Sequence, residues 1–592
     1  MTIDADFDQA IAHHQAGRFS EAESLYRNII ALNSKHAGAL LHLGLIAHQS
    51  GKNPAALELI DQAIAAKPKY AEAHYNRGTI LHLDKQLEKA AESFRQAARL
   101  DNNHIGALYS LAGVQHLLGQ SDRAIKNYQT AAKKAPDQPE IHINLAVVFY
   151  ETQRFEDALK SVEKALSLDP QSVEANFTRG NILAELDRTK EALNCYDMLL
   201  ENDPDNTLIL INKAAALQES NDPGEALAIY DQIIKLLPDQ SEPVSSKANV
   251  LVKMARLDEA IETFVQALAI APTQAQTLYN QANLLLLLGG FDEGFPGLEK
   301  RFENEDNLEN WERDGLKFWQ GEELSGPLYL RAEQGVGDHL LWSTQIPQLQ
   351  ERGYDIVFEC DPRLVSLIAR SFPRVKVIAE GSKLKEKSDA ARQIGMASVP
   401  YCLGDWSETF TPQNRVFEPD GDTAENLANE LFSVADGRPI IGISWRSARR
   451  KVGPQKSLPL DHWRPILENQ NALFVNLQYG ETDAEIADAT AEFSAEFYTL
   501  PKLNRMNDLD DFAALVDTLD LVITTSNVTA HFAGGLGKPC WLALQKVPLW
   551  YWGHDGEART FYPSIEAYRQ NELNDWSNVI AALANDLTEF LG

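Results

Sequence analysis

The chain has 592 residues, 44% of them apolar and 23% charged, and a formal net charge of -31. That length gives several domains and no shortage of core, while that charge argues against nucleic acid or an anionic membrane as the main partner, because a phosphate-rich surface needs a basic face. The four cysteines, Cys195, Cys360, Cys402 and Cys540, are far apart and form no CxxC, which points to a reducing compartment and to no zinc site.

The first ten residues, MTIDADFDQA, are acidic and lack an apolar core, so they do not read as a signal peptide. No apolar run approaches the ~20 residues of a membrane span, and a cytoplasmic protein is expected. From here one motif repeats. Ala22, Ala56, Ala90, Ala124, Ala158, Ala192, Ala226 and Ala260 follow one another at intervals of 34. Twelve residues before each stands a small residue, as at Ala10, Gly44, Gly78 and Gly180, and twelve after six of them stands a proline, from Pro68 to Pro272. Small residues at fixed places let two helices approach closely, and the proline ends the second helix. This is the spacing of tetratricopeptide repeats. It predicts an α-solenoid over residues 1–290, with eight repeats, a ninth first helix around Ala282, and a concave surface.

Asn76, Asn144, Asn212 and Asn280 stand two residues before the small residue in alternate repeats, 68 apart, and Asn181, Asn249 and Asn283 stand one after it. Either Asn is a tolerated polar residue there, or the amides form an inward-facing ladder that holds the backbone of an extended peptide. Ser110, Thr178 and Ser246 take the place of Asn in other repeats, so such a ladder is partial.

The period fails after Gly289-Gly290, where Gly294 replaces the next Ala, and residues 291–326 read as a linker with a bridging helix and a loop. From Pro327 apolar runs alternate with helical patterns. Strands are expected at Leu328–Ala332, Asp355–Cys360, Lys376–Ala379, Ile440–Trp445, Leu473–Gln478, Leu521–Thr524 and Cys540–Leu544, with helices such as Asp338–Glu351, Pro362–Ser371, Asp461–Glu468 and Asp510–Leu519 between them. This alternation predicts an α/β region with ligands at the C-terminal ends of parallel strands. A polar segment from Pro412 to Gly437 divides it into two Rossmann-like lobes, 327–415 and 438–592, with a cleft between them.

Each lobe offers chemistry. In the first, Glu333-Gln334-Gly335-Val336-Gly337-Asp338 follows a strand and opens a helix. Gly335 and Gly337 begin a dinucleotide-type pattern, with Glu359 as the ribose-binding acid, but Leu340 occupies the third glycine position. Asp338 is either a helix N-cap or a general base at the cleft. In the second, Ser444 to Lys456 holds five basic residues and no acid; it is a solvated loop or one side of a phosphate site. Asp508, Asp510 and Asp511 resemble a metal-binding DxD, but they precede a helix and fit capping better. In Leu521–Leu544 a strand passes through Thr525-Ser526-Asn527 into a helix starting near Val528. That is an ordinary crossover or an anion site at a helix N-terminus. His531 is a core histidine or, beside that turn, a phosphate or sugar contact.

The stretches FDEGFPGLEKRF, WQGEEL, LRAEQGVGDHLLWSTQIPQL, GISWRS, KSLPLDHW, DLVITTSNVTAHFAGGLGKPCWLAL and VPLWYWGHDGEARTFYPSIEAYRQ are similar to the glycosyltransferase domain of bacterial tetratricopeptide proteins, itself related to GT-B glycosyltransferases of the heptosyltransferase type. The architecture resembles O-GlcNAc transferase, whose asparagine ladder runs along the protein substrate, and most closely the bacterial flagellin glycosyltransferases. These relatives usually carry Asp where Ser526 stands and a small residue where Val528 stands. The resemblance implies an inverting protein O-glycosyltransferase that needs no metal and no cofactor beyond its nucleotide-sugar donor, a CMP-nonulosonate or a UDP-hexosamine. It implies Asp338 as catalytic base, Lys456 near the donor phosphate and flagellin as the first acceptor protein; from the basic loop and the turn before Val528, Arg446, Ser526, Asn527, Thr529 and His531 are expected at the donor as well, and Asn76, Asn144, Asn212 and Asn280 along the acceptor. The alternative is a non-catalytic repeat adaptor in flagellar assembly or regulation.

Overall fold

A computed structural model describes residues 3–219, 223–303, 315–382, 391–404, 413–447, 453–493, 495–501, 503–554 and 561–592, the side chain of Pro454 apart. The chain forms two compact units, Met1–Glu225 and Ala226–Gly592.

The first unit is a run of antiparallel helix pairs, such as Ala71–Leu83 with Leu87–Leu100 and Val173–Glu185 with Thr189–Leu200. The repeated small residues do what their spacing predicts. A Cβ on Gly78 would come within 2.7 Å of the Phe94 ring, and one on Gly180 within 2.7 Å of Tyr196. The turn inside each pair is closed by a residue in the left-handed region at 17, 51, 85, 119, 153 and 187, with φ of 58 to 74°. Glycine fills three of these places at no steric cost; Lys85, Gln153 and Asp187 fill the others, so sequence alone does not show the full column. Successive first helices touch one another, while successive second helices stand further apart. The first helices, which carry Asn76, Asn144 and Asn212, therefore line the inner side of this unit.

The second unit begins within the helix Gly224–Leu236 and continues with the pair Ser241–Lys253 and Leu257–Ile270, followed by Ala275–Leu287. The ninth repeat has more than its first helix: Phe291–Leu298 packs back on Ala275–Leu287. Gly294, which broke the sequence period, and Gly297 allow this, since a Cβ on Gly294 would meet Leu286 at 2.6 Å and one on Gly297 would meet Ala282 at 2.6 Å. Residues 304–314 of the expected linker lie outside the described residues.

Two parallel sheets follow. The first comprises β1 (Lys317–Phe318), β2 (Leu328–Arg331), β3 (Ile356–Cys360), β4 (Lys376–Ala379) and β5 (Arg392–Gly395), in the order β1-β5-β2-β3-β4. The second comprises β6 (Ile440–Ser444), β7 (Leu473–Asn476), β8 (Phe497–Tyr498), β9 (Leu521–Thr525), β10 (Cys540–Leu544) and β11 (Ile565–Arg569), in the order β11-β10-β9-β6-β7-β8. Every adjacent pair is parallel, with Gly442 of β6 opposite Val475 of β7 and Val522 of β9. All seven expected strands form. β1, β5, β8 and β11 are additions: two have only two residues, and β5 and β11 carry Arg, Gln or Glu.

Several helix limits move. Asp338–Glu351 is two helices, Val336–Ser343 and Ile346–Glu351, because Pro347 belongs in a first turn. Pro362–Ser371 and Asp461–Glu468 each begin with a 3-10 turn, and Asp510–Leu519 becomes Leu509–Asp517. The polar divider is not a loop. Its described part holds the helix Gly421–Ala435, capped by the Asp420 carboxylate accepting from Thr423 N–H, with Leu431 and Ala435 buried and the helix packed on Leu509–Asp517. It packs on the second lobe while standing between the two sheets in the chain, and Glu418 just before it bonds Arg370 and Ser371 of the first lobe; Pro412 lies outside the described residues. Among the described residues no helix is long and apolar enough to cross a membrane.

Candidate functional site

The turns that leave β2 and β9 face each other across a cavity of about 270 Å³. In the first-lobe turn Glu333 is buried. It accepts from Arg301 Nε at 2.7 Å, Arg301 Nη2 at 2.9 Å and Ala397 N–H at 3.1 Å. Arg301 in turn donates to Leu298 O, to Glu299 and to Ser398 Oγ, so a residue beyond the last repeat helix anchors this turn. Gln334 is left-handed at φ 64°. Asp338 is not the N-cap of its helix; Gly335 is, and Asp338 Oδ2 accepts from Gly335 N–H at 3.2 Å while the carboxylate still lines the cavity. The dinucleotide pattern does not hold. Leu340 is core, and Glu359 is engaged by Arg331 Nε at 3.3 Å and Gly381 N–H at 2.9 Å. The next residue, His339, accepts from Asp361 N–H, and burial lowers its pKa to about 4.

In the second-lobe turn, Asn527 joins two loops. Its Oδ1 accepts from Thr529 N–H at 2.8 Å, and its Nδ2 donates to Ser444 Oγ at 2.9 Å and Arg446 O at 3.3 Å. Ser526 Oγ accepts from Trp552 Nε1 at 2.9 Å. His531, 4% exposed, stacks on Trp552 with centroids 5.2 Å apart and planes at 25°, and its Nδ1 lies 3.4 Å from Tyr562 Oη. Burial first, and the nearby Lys456 second, lower its pKa to about 3, so the ring is neutral. It is both a core residue and a wall of the cavity.

The cavity brings together Asp338 of the first lobe with Lys456, Ser526, Asn527 and His531 of the second. Two expected donor contacts do not reach it. Arg446 donates from Nη2 to Glu481 O and sits 3.6 Å from Glu485. Thr529 is fully buried behind the turn, with its Oγ1 unpaired. Arg449, Arg450 and Lys451 of the basic loop lie outside the described residues. Ser447, Tyr479, Leu549 and Tyr551 line the cavity unforeseen; Tyr479 follows β7 at its C-terminal end, where the strand rule would have placed it. Of the DxD acids, Asp508 stands at the N-cap without a side-chain capping bond, and Asp510 and Asp511 lie in the first turn, where the helix dipole favours them. Asp510 pairs with Arg370 of the first lobe through two bonds of 2.9 and 2.7 Å, and Asp508 accepts from Asn504 N–H. Among the described residues no cluster could hold a metal ion.

Asn76, Asn144 and Asn212 are half-exposed and donate through Nδ2 to the carbonyl one turn back, at Glu72, Glu140 and Leu208, with distances of 2.8, 3.0 and 2.8 Å. Asn144 Nδ2 also donates to Tyr109 Oη at 2.7 Å. Their donors are thus partly used within the fold. In the second unit Asn280 Oδ1 accepts from Gln276 Nε2 at 2.8 Å.

Comparison with known proteins places the repeats. Tetratricopeptide repeat families match residues 7–70, 49–105 and 118–173, and 149–216 and 216–284. Protein FlbA of Caulobacter vibrioides is 28% identical over 323 residues, 50% of this chain and 52% of that protein; the chain thus spans about half the length of this curated relative. Among solved structures, YrrB, a TPR protein with an unusual peptide-binding site, is 22% identical over 32% of this chain and 98% of its own, with a TM-score of 0.30. A tetratricopeptide repeat protein from Parabacteroides merdae is 16% identical over 41% and 97%, with a TM-score of 0.34.

Proposed function

We propose that the chain is an inverting glycosyltransferase that moves a sugar from a nucleotide-sugar donor to a Ser or Thr hydroxyl of a protein held by its repeats. The observation that carries the reading is one cavity with a carboxylate, Asp338, on one lobe and a buried cation, Lys456, beside a helix N-terminus on the other. The donor phosphate sits against Val528 and Lys456, where the helix dipole and the ammonium favour negative charge. Asp338 takes the hydroxyl proton as the oxygen attacks the anomeric carbon from the face opposite the phosphate. The bond from that carbon to the phosphate oxygen breaks, and its electron pair leaves on a phosphate stabilised by Lys456 and the helix end. His531, being neutral, serves as a hydrogen-bonding wall and adds no charge. A CMP-nonulosonate or a UDP-hexosamine is the donor and flagellin the first acceptor by resemblance.

A second reading, the non-catalytic adaptor, has its own support. The cavity, at about 270 Å³, falls just under the ~300–1,000 Å³ of ordinary ligand pockets, Ser526 is already bonded to Trp552, and Arg446 is held elsewhere. Coexpression with candidate flagellins and the donor pathway, followed by intact mass, separates the two. A sugar-sized mass gain that falls ~10²–10⁴-fold in rate with Asp338→Asn supports the transferase. Unchanged mass with the unaltered chain, together with no heat of binding from CMP or UDP sugars, supports the adaptor.

A further inference from the structure

One turn of the second lobe meets three bodies at once. Residues Trp550–Trp552 form a 3-10 turn whose side chains diverge. Leu549 and Tyr551 line the cavity, and Trp552 bonds Ser526 on its wall. Trp550 turns the other way. Its ring lies 5.8 Å from Phe295, at 89°, in the short helix that completes the ninth repeat, and it packs on the cluster of Leu284 and Leu287. It also lies 5.8 Å from Trp342, at 40°, on the helix that carries Asp338, one turn further along. Arg569 fixes the end of the turn by donating to the carbonyls of Trp552, at 2.6 Å, and Gly553, at 3.0 Å.

We infer that Trp550 is a positioning residue through which the last repeat sets the spacing of the two cavity walls. A large rigid ring shared by three packed elements transmits a shift of any one of them, since close-packed side chains have no slack to absorb it. A chain bound along Ala275–Leu287, where Asn280 and Asn283 stand, thereby acts on Asp338 through Trp342 and on Ser526 through Tyr551 and Trp552. The use of this coupling rests on the transferase reading, but its existence does not, and the test needs no ligand.

Hydrogen exchange of the full chain provides that test. Phe295→Leu disturbs the repeat side of Trp550 while keeping an apolar side chain. Amides in 336–343 and 526–535 are expected to exchange at least fivefold faster in this variant. With Trp550→Ala already present, adding Phe295→Leu is expected to change those two segments less than twofold further. Trp550→Phe, the milder replacement, is expected to retain part of the response and covers the case in which the alanine variant fails to fold. Acceleration confined to 291–302 in Phe295→Leu, or an equal response with and without Trp550, overturns the inference.

Discussion

Acidification puts a number on the burial of His531. Its folded pKa is about 3, against ~6.5 in an unfolded chain. Between those values the unfolded chain binds one proton more than the folded one, so stability falls as pH falls. The contribution is fully present above ~6.5 and is lost progressively down to about 3, at ~1.4 kcal/mol per pH unit. At pH 4.5 the loss is roughly 2–3 kcal/mol from this one ring. His339, with a folded pKa of about 4, adds nearly the same. The variant His531→Phe keeps the stack on Trp552 and removes the titration. Exchange protection of amides in 521–544, measured at pH 7 and pH 4.5 and corrected for intrinsic rates, gives the local stability of each protein. The loss on acidification should be smaller in His531→Phe by about 2–3 kcal/mol. Protonated carboxylates affect both proteins alike and cancel in this difference. Equal losses in the two would mean that the ring is reached by water or protonated in place, and the account of a dry cavity wall would fail.

Three further outcomes follow from contacts in the second unit. Asp510→Asn weakens the bidentate ion pair with Arg370 that ties the two lobes; with both side chains partly in solvent the cost is about 1 kcal/mol, read as a lower thermal midpoint, and an unchanged midpoint would remove the tie from the account. Gly535→Ala places a methyl group inside the Phe417 ring and should cost ~2 kcal/mol or more, whereas Gly421→Ala, with open space around it, should be neutral in the same melt. Glu333→Gln removes the bidentate carboxylate from the buried Arg301 and keeps its pair with Glu299, and should cost about 3 kcal/mol; adding Arg301→Met should recover part of that loss, and a purely additive pair would contradict the buried pairing.

Most of the fold was legible because its signals are local or repeated. The alanine column at intervals of 34 and the small residue twelve before it state a packing rule many times over, so one exception does not hide it. The exception at Gly294 misled for a physical reason. Glycine there was a sign of closer packing, not of a break, since Leu286 leaves no room for a Cβ. In the α/β region the strands buried on both faces, such as β6 and β9, read as apolar runs. β1 and β8 are too short to show a period, and β11 is an edge strand with an exposed Glu566. The helix Gly421–Ala435 went unread because only Leu431 and Ala435 of its 15 residues are buried, so its sequence is nearly as polar as a loop.

The site divides along the same line. The turn before Val528 was legible, because a strand, three small polar residues and a helix make an anion-favouring end from neighbours in sequence. What each polar residue does there was not, since that is decided by partners far along the chain. Arg446 and Lys456 stand ten apart in one basic loop and look equivalent on paper. Arg446 donates to Glu481 O and lies 3.6 Å from Glu485, while Lys456 stays buried at the cavity beside His531. Ser526 is likewise given its role by Trp552, and Asn527 by Ser444. A charge on the sequence therefore marks where an anion site can form, while the direction each side chain takes depends on partners far along the chain.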